Sequence, residues 1–148
     1  MITKVMTVCT GNICRSPLAE GLLRLQVPDV QVFSAGLSAM VGMPATAETV
    51  ALAHEWGADI TAHRAQQLNG FLVQSADLIL VAEEAQKRYL ERHYPARRGR
   101  IFRLAEGSQQ DIPDPFRQSD AVYRSSAHLM AQAVAEWAQK IQKLKASS

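Results

Sequence analysis

The segment ADLILVA, residues 76 to 82, restricts the fold more than any other part of the chain. Its apolar run from Leu78 to Ala82 is unbroken and too short for a buried helix, which suits a strand covered on both faces. Both faces are covered when a parallel sheet carries helices on either side, so the rest of the chain should alternate strands and helices. It does. ITKVMTV (residues 2 to 8) reads as a first strand, followed by a helix over about Pro17 to Gln26, with Ser16 as N-cap and Pro17 at the first helical position. VQVFSAG is a second strand, ATAETVALAHEWG a second helix ending at Gly57, EEAQKRYLERHY a charged helix stopped by Pro95, and RIFRL a fourth strand. In the last helix Tyr123, Ala127, Met130, Val134, Trp137, Ile141 and Leu144 form one apolar stripe for packing on the sheet. The expected fold is α/β: a single three-layer domain over residues 1–148, with a four-stranded parallel sheet flanked by helices and joined by right-handed crossovers.

Several function classes fall away. The formal net charge of +2 is no electrostatic footprint for nucleic acid, and the lysines of QKIQKLKASS read as a solvated helix end. Polar Thr3, Lys4 and Thr7 interrupt the apolar residues of the N-terminus, which leaves neither a signal-peptide core nor a membrane span. The expected location is the cytoplasm, without membrane insertion. Two cysteines are no disulfide framework, and a reducing compartment keeps both as thiols at rest.

Both cysteines fall in VCTGNICRSP, residues 8 to 17, the loop after the first strand. Ligands of open α/β sheets sit outside the carboxyl ends of the strands, and a loop leading into a helix N-terminus favours an anion. Gly11 and Asn12 are the residue types that most readily accept positive φ, as a tightly curled loop of inward-facing amides requires. The nucleotide-binding patterns G-x-G-x-x-G and G-x-x-x-x-G-K-[ST] are absent, and a reactive pair stands in their place. Cys9, beneath the amides and near Arg15, should be held as thiolate by positive charge and helix dipole. Arg15 has the planar fork to hold two phosphoryl oxygens. A leaving oxygen also needs a proton. The segment EGSQQDIPDPFRQSD, between the fourth strand and the last helix, contains Asp111, Asp114 and Asp120, and Pro113 and Pro115 stiffen the chain around Asp114. Asp114 is the expected general acid and base. Asp111 and Asp120 are best read as turn formers or the start of a capping pattern.

VCTGNICRSP near the N-terminus, HRAQQL in the middle and IPDPF far downstream resemble the low-molecular-weight protein tyrosine phosphatases, over essentially the whole chain. The resemblance implies hydrolysis of phosphotyrosine through a cysteinyl-phosphate intermediate, with Cys9 as nucleophile, Arg15 as phosphate clamp and Asp114 as acid and base. Thr10, Gly11, Asn12, Ile13, Cys14 and Ser16 complete the phosphate loop. Asn12, Ser16, Ser34 and His63 match a supporting hydrogen-bond network, with Ser16 assisting the thiolate. Met40 and Phe116 match the substrate-pocket walls, where aromatic residues are common, so stacking on the substrate ring is reduced. SAGLSAMVG and the Phe116-Arg117 pair resemble the bacterial branch that acts on autophosphorylating tyrosine kinases of capsule and exopolysaccharide export. No cofactor and no metal are implied.

Cys14 has two readings. It is the redox-protective partner of Cys9 that the resemblance implies, or it packs beneath the loop. His63 is read as a partly buried structural histidine, which accords with a supporting role, and His54, His93 and His128 share no metal-ligand spacing. Two other functions are weighed against the phosphatase. Arsenate reduction on the same scaffold needs further redox cysteines, and none follows Cys14; a catalytically silent phosphotyrosine-binding module is at odds with intact Cys9, Arg15 and Asp114.

Overall fold

Four parallel strands, β1 (Lys4–Cys9), β2 (Gln31–Gly36), β3 (Leu78–Val81) and β4 (Ile101–Arg103), form one sheet in the order β2-β1-β3-β4 in the computed structural model. The structure describes residues 1–146; the last two residues of the expected domain and of the expected helix end lie outside it. The helices are α1 (Arg15–Gln26), α2 (Ala47–Glu55), α3 (Gly70–Ser75), α4 (Glu84–His93) and α5 (Asp120–Ala146), with a 3-10 turn over Pro95–Arg100.

The sheet separates two cores. Val5, Leu78 and Leu80 meet α1, α2 and α5 on one face; Met6, Val8, Ile79, Val81 and Ile101 meet Val73 of α3 and Leu90 of α4 on the other. Burial on both faces is why β3 reads Leu-Ile-Leu-Val without a polar residue. The α5 stripe is buried from Tyr123 to Ile141, but Leu144, expected to belong to it, is exposed. Among the described residues no helix is long and apolar enough to cross a membrane.

Helix ends follow local chemistry in most places. Thr46 caps α2 by accepting from Thr49 N, and Gly57, at φ 87°, closes its far end. Glu83 and Gln86 form a reciprocal capping box on α4. The start of α1 differs from the sequence expectation. The helix begins at Arg15, two residues before Pro17, and its N-cap is Cys14 with no side-chain cap. Ser16 is no cap because its hydroxyl is engaged by Cys9 and Asn12. Strand β1 likewise runs to Cys9, which pairs with Gly36 in the ladder, instead of ending at Val8. The short α3 and the 3-10 turn were not foreseen, being too brief for a periodic pattern to stand out.

From β1 the chain goes on to β2 on one side, and from its other neighbour β3 it goes on to β4 on the opposite side, so the connections leaving the carboxyl ends of β1 and β3 diverge. The loop from Cys9 to Arg15 lies at this switch point, where open sheets place their ligands.

Candidate active site

The loop is shaped by what its carbonyls do. Those of Cys9, Thr10 and Gly11 accept from the N–H groups of Leu37, Ser38 and Met40 at 3.0–3.1 Å; those of Ile13 and Cys14 accept from Thr46 and Leu18. The Asn12 carbonyl pairs with His63 Nε2 at 2.7 Å. In a planar trans peptide the N–H points opposite to the C=O. Six carbonyls tied outward therefore turn the N–H groups of Thr10 to Arg15 the other way, into a shared concavity that suits an anion.

Only one of the two residues expected at positive φ adopts it. Asn12 has φ 61°, whereas Gly11 is not in the left-handed region, and a Cβ there would meet nothing closer than Ile13 Cγ1 at 3.7 Å. The indispensable glycine is Gly36, on β2. A Cβ on it would stand 2.5 Å from the Thr10 carbonyl oxygen and 3.0 Å from Asn12 Cβ. The close passage of loop over strand requires its bare backbone.

Cys9 Sγ lies 3.0 Å from Ser16 Oγ and accepts the Ser16 N–H at 3.4 Å. Asn12 Nδ2 donates to Ser16 Oγ at 2.7 Å and to Ser34 Oγ at 2.9 Å, and its Oδ1 accepts from Gln66 N. Arg15 is buried with 2% of its side chain exposed. Its Nη1 donates to Glu83 at 2.6 Å and to the Ile112 carbonyl at 2.8 Å, which balances the charge and fixes the plane of the guanidinium. Its Nε is buried without a partner, and Nη2 approaches Asp114 Oδ2 at 3.7 Å. One edge of the fork is thus anchored and the other is left for a ligand. Gln86 extends this scaffold by donating to Thr10 Oγ1 at 3.1 Å.

Asp114 is half exposed, and its Oδ1 accepts from Phe116 N, a local turn that faces the carboxylate towards the loop. Asp114 and Phe116 line a cavity of about 180 Å³ with Cys9, Gly11, Ile13 and Met40. Asp111 is engaged elsewhere, accepting from Glu84 N at the start of α4 and from Arg103, and Asp120 opens α5. Cys14 also lines this cavity, and its Sγ lies near Tyr123 OH (3.5 Å) and Thr46 Oγ1 (3.7 Å); both cysteines are free thiols. Burial pushes the Cys14 thiol above its ordinary value, against the hydrogen bonds from Tyr123, Thr46 and Thr49, and burial and Cys14 together push Tyr123 up as well.

The residues that sequence reading missed are Glu83, Gln86, Gln66, Gly36 and Glu20. The E-x-x-Q spacing of Glu83 and Gln86 signals a helix start, but nothing local signals that Glu83 meets Arg15. Among the described residues no group of three or more His, Cys, Asp or Glu is placed to hold a metal ion.

A sequence model of the low molecular weight phosphotyrosine protein phosphatase family matches residues 4–147. The chain is 44% identical over 144 residues to the probable low molecular weight protein-tyrosine-phosphatase EpsP of Ralstonia nicotianae, covering 97% of this chain and 99% of that one. It is 36% identical to the low molecular weight protein-tyrosine-phosphatase Wzb of Escherichia coli, over 95% and 97% of the two chains. Among solved structures, Vibrio vulnificus Wzb in complex with benzylphosphonate matches with a TM-score of 0.91 at 36% identity, over 95% of this chain and 99% of that one. The YwlE arginine phosphatase of Geobacillus stearothermophilus matches with a TM-score of 0.90 at 31% identity, over 98% and 96%. Alike in sequence and fold over nearly its full length, the chain belongs to the low molecular weight phosphotyrosine protein phosphatases, hydrolases that work through a cysteine nucleophile.

Proposed function

We propose that Cys9 is the nucleophile of this phosphatase, that the loop amides and Arg15 clamp the phosphoryl group, and that Asp114 is the general acid and base. The observation that carries this reading is the set of donors facing one space: six inward amides and the unpartnered Nε edge of Arg15, around Cys9 Sγ. A phosphoryl group presents three peripheral oxygens to such an array, and the donors are already oriented before charge develops. Sγ attacks phosphorus, and a P–S bond forms as the bond from phosphorus to the tyrosyl oxygen breaks. Asp114 gives that oxygen its proton. The resulting carboxylate takes a proton from water, whose oxygen attacks phosphorus, breaks the P–S bond, and releases inorganic phosphate and the thiolate.

Met40 and Phe116, which both line the cavity, offer apolar walls to a flat ring. The protein substrate is an autophosphorylated tyrosine kinase of polysaccharide export, or another protein of that pathway, met in the cytoplasm. Support for this partner comes from the resemblance to the bacterial branch and from the bacterial protein-tyrosine-phosphatases among the relatives.

Phosphate release from a phosphotyrosine peptide and a phosphoarginine peptide, by the parent and by Cys9→Ser, tests the reading. Expected are turnover of the phosphotyrosine peptide and its loss by more than roughly a thousandfold in the serine variant, with the circular-dichroism spectrum unchanged. Near-parent turnover by Cys9→Ser would remove Cys9 from the mechanism. Faster release from phosphoarginine would replace the substrate class.

A further inference from the structure

Cys9 stands at one end of a hydrogen-bond chain whose other end is a carboxylate on α1. From Sγ the chain passes to Ser16 Oγ (3.0 Å), Asn12 Nδ2 (2.7 Å), Ser34 Oγ (2.9 Å) and Glu20 Oε1 (2.6 Å). Its three inner members are buried, and the Glu20 side chain is 12% exposed. Counting protons fixes the direction of the chain. Asn12 Oδ1 already accepts the Gln66 N–H, so the NH₂ end of the amide faces both serines, and both hydroxyl oxygens accept. Ser34 has one proton, and it goes to Glu20. Ser16 has one proton, and Cys9 Sγ is its remaining partner in the chain.

We propose that Glu20 is a positioning residue for the reaction: by drawing the Ser34 proton, its carboxylate holds the Asn12 amide in the orientation that leaves Ser16 donating to Cys9. The inference rests on the reading of Cys9 as nucleophile. Without an acceptor at position 20, the Ser34 proton must turn elsewhere, and a flipped Asn12 amide would supply the acceptor in its Oδ1. The same oxygen would then draw the Ser16 proton away from Sγ, at the expense of the bond from Gln66 N–H, so that Glu20 and Gln66 hold the amide together. Glu20 is fixed from its outer side by Arg24, whose Nη2 lies 2.5 Å from Oε2. Asp59, His63 and Arg64 are the other charged or titratable groups lining the cleft that Glu20 and Ser34 border.

The test compares Glu20→Ala, Glu20→Gln, Ser34→Ala and the Glu20→Ala/Ser34→Ala double variant with the parent, as pH profiles of kcat/KM on an aryl phosphate. Glu20→Ala should lower kcat/KM about tenfold, the worth of one hydrogen bond, through kcat and not KM, and move the acid limb to higher pH. Glu20→Gln, which keeps an acceptor, should recover most of both. The double variant should be no slower than Ser34→Ala alone, since residues that act through one chain are not additive. A parent-like profile in Glu20→Ala, or additive losses in the double variant, would overturn the proposal. Glu20→Met, of similar volume and with no oxygen acceptor, takes the place of the alanine variant if that one melts early. The pH dependence of Cys9 alkylation by iodoacetamide reads the same chain without turnover. It decides the role of Glu20 even if the parent fails to hydrolyse the ester, an outcome that would sink the phosphatase reading alone.

Discussion

The two loops that form the cavity are built in opposite ways. In the loop from Cys9 to Arg15 each carbonyl from Cys9 to Cys14 is tied to another part of the chain, and Asn12, Arg15 and Ser16 are almost fully buried. In the segment from Glu106 to Ser119, Asp114 is half exposed and its Oδ1 is held by its own turn at Phe116, with Pro113 and Pro115 stiffening the backbone. The difference suits the two proposed tasks. A donor array must be in place before charge develops, whereas an acid that exchanges a proton with water must be reached by water.

The largest effect that follows from this contrast is at Arg15. Arg15→Lys keeps the charge but replaces a fork that bonds Glu83 and the Ile112 carbonyl, and that is proposed to clamp the phosphoryl group, with a single ammonium. Turnover should fall by about a hundredfold to a thousandfold, with weaker competitive inhibition by inorganic phosphate. A lysine variant with parent kinetics would mean that the fixed fork is not what the loop supplies.

On the exposed side, Asp114→Asn should slow phosphotyrosine hydrolysis by about a hundredfold and the hydrolysis of an activated ester, whose leaving group departs unprotonated, far less. Thermal stability should hardly change, because the asparagine oxygen still accepts from Phe116 N. Equal losses on both esters would make Asp114 structural.

Two glycine substitutions test how closely the loop is pressed against β2. Gly36→Ala forces a Cβ to 2.5 Å from the Thr10 carbonyl oxygen, and overpacking of this kind costs about 1–3 kcal/mol. Urea unfolding should show that loss together with reduced activity. Gly11→Ala, with no positive φ and only ordinary contacts, should stay within about 0.5 kcal/mol of the parent. Comparable losses at the two positions would contradict the picture of a loop pressed against β2.

The smallest effect in the reduced protein is expected at Cys14. Cys14→Ser should leave turnover within about twofold, because serine keeps the backbone amide and puts a hydroxyl of similar size within reach of Tyr123 and Thr46. Under peroxide the variants should part. Cys9 sulfenic acid and the Cys14 thiol can condense to a disulfide with loss of water, which a dithiol reverses, whereas sulfinic acid is not recovered. The thiolate of Cys14 is the attacking form, and burial raises its pKa, so the thiolate fraction is small at neutral pH and grows as pH rises. Recovery of the parent after matched peroxide doses should improve from about pH 7 to pH 9 on that account. Full recovery of Cys14→Ser at every pH would leave Cys14 as a packing residue held by Tyr123 and Thr46.

Residues close together in sequence made much of this protein legible. The apolar run at Leu78–Val81, the stripe of α5, and the Cys9 to Arg15 spacing all depend on neighbours a few positions apart, and the sheet, the helices and the phosphate loop followed from them. Errors arose where a local propensity lost to a distant partner. Ser16 has the chemistry of an N-cap but is engaged by Cys9 and Asn12, and Gly11 has the freedom for positive φ but the loop takes it at Asn12 alone.

The sequence determined which chemical groups the loop carries and that they follow a buried strand. Tertiary structure decided which way those groups face. The amides turn inward because Leu37, Ser38, Met40, Thr46 and His63 draw the carbonyls of Cys9 to Ile13 outward, and Arg15 is aimed by Glu83 and by the carbonyl of Ile112, 97 residues away. Gly36 matters only because folding lays the loop across β2, and Glu20 reaches Cys9 only through Ser34 on that strand. A propensity reports the conformations open to a residue among its near neighbours. A hydrogen bond across the chain exists only once packing has brought its ends together, so its direction cannot be read from either end.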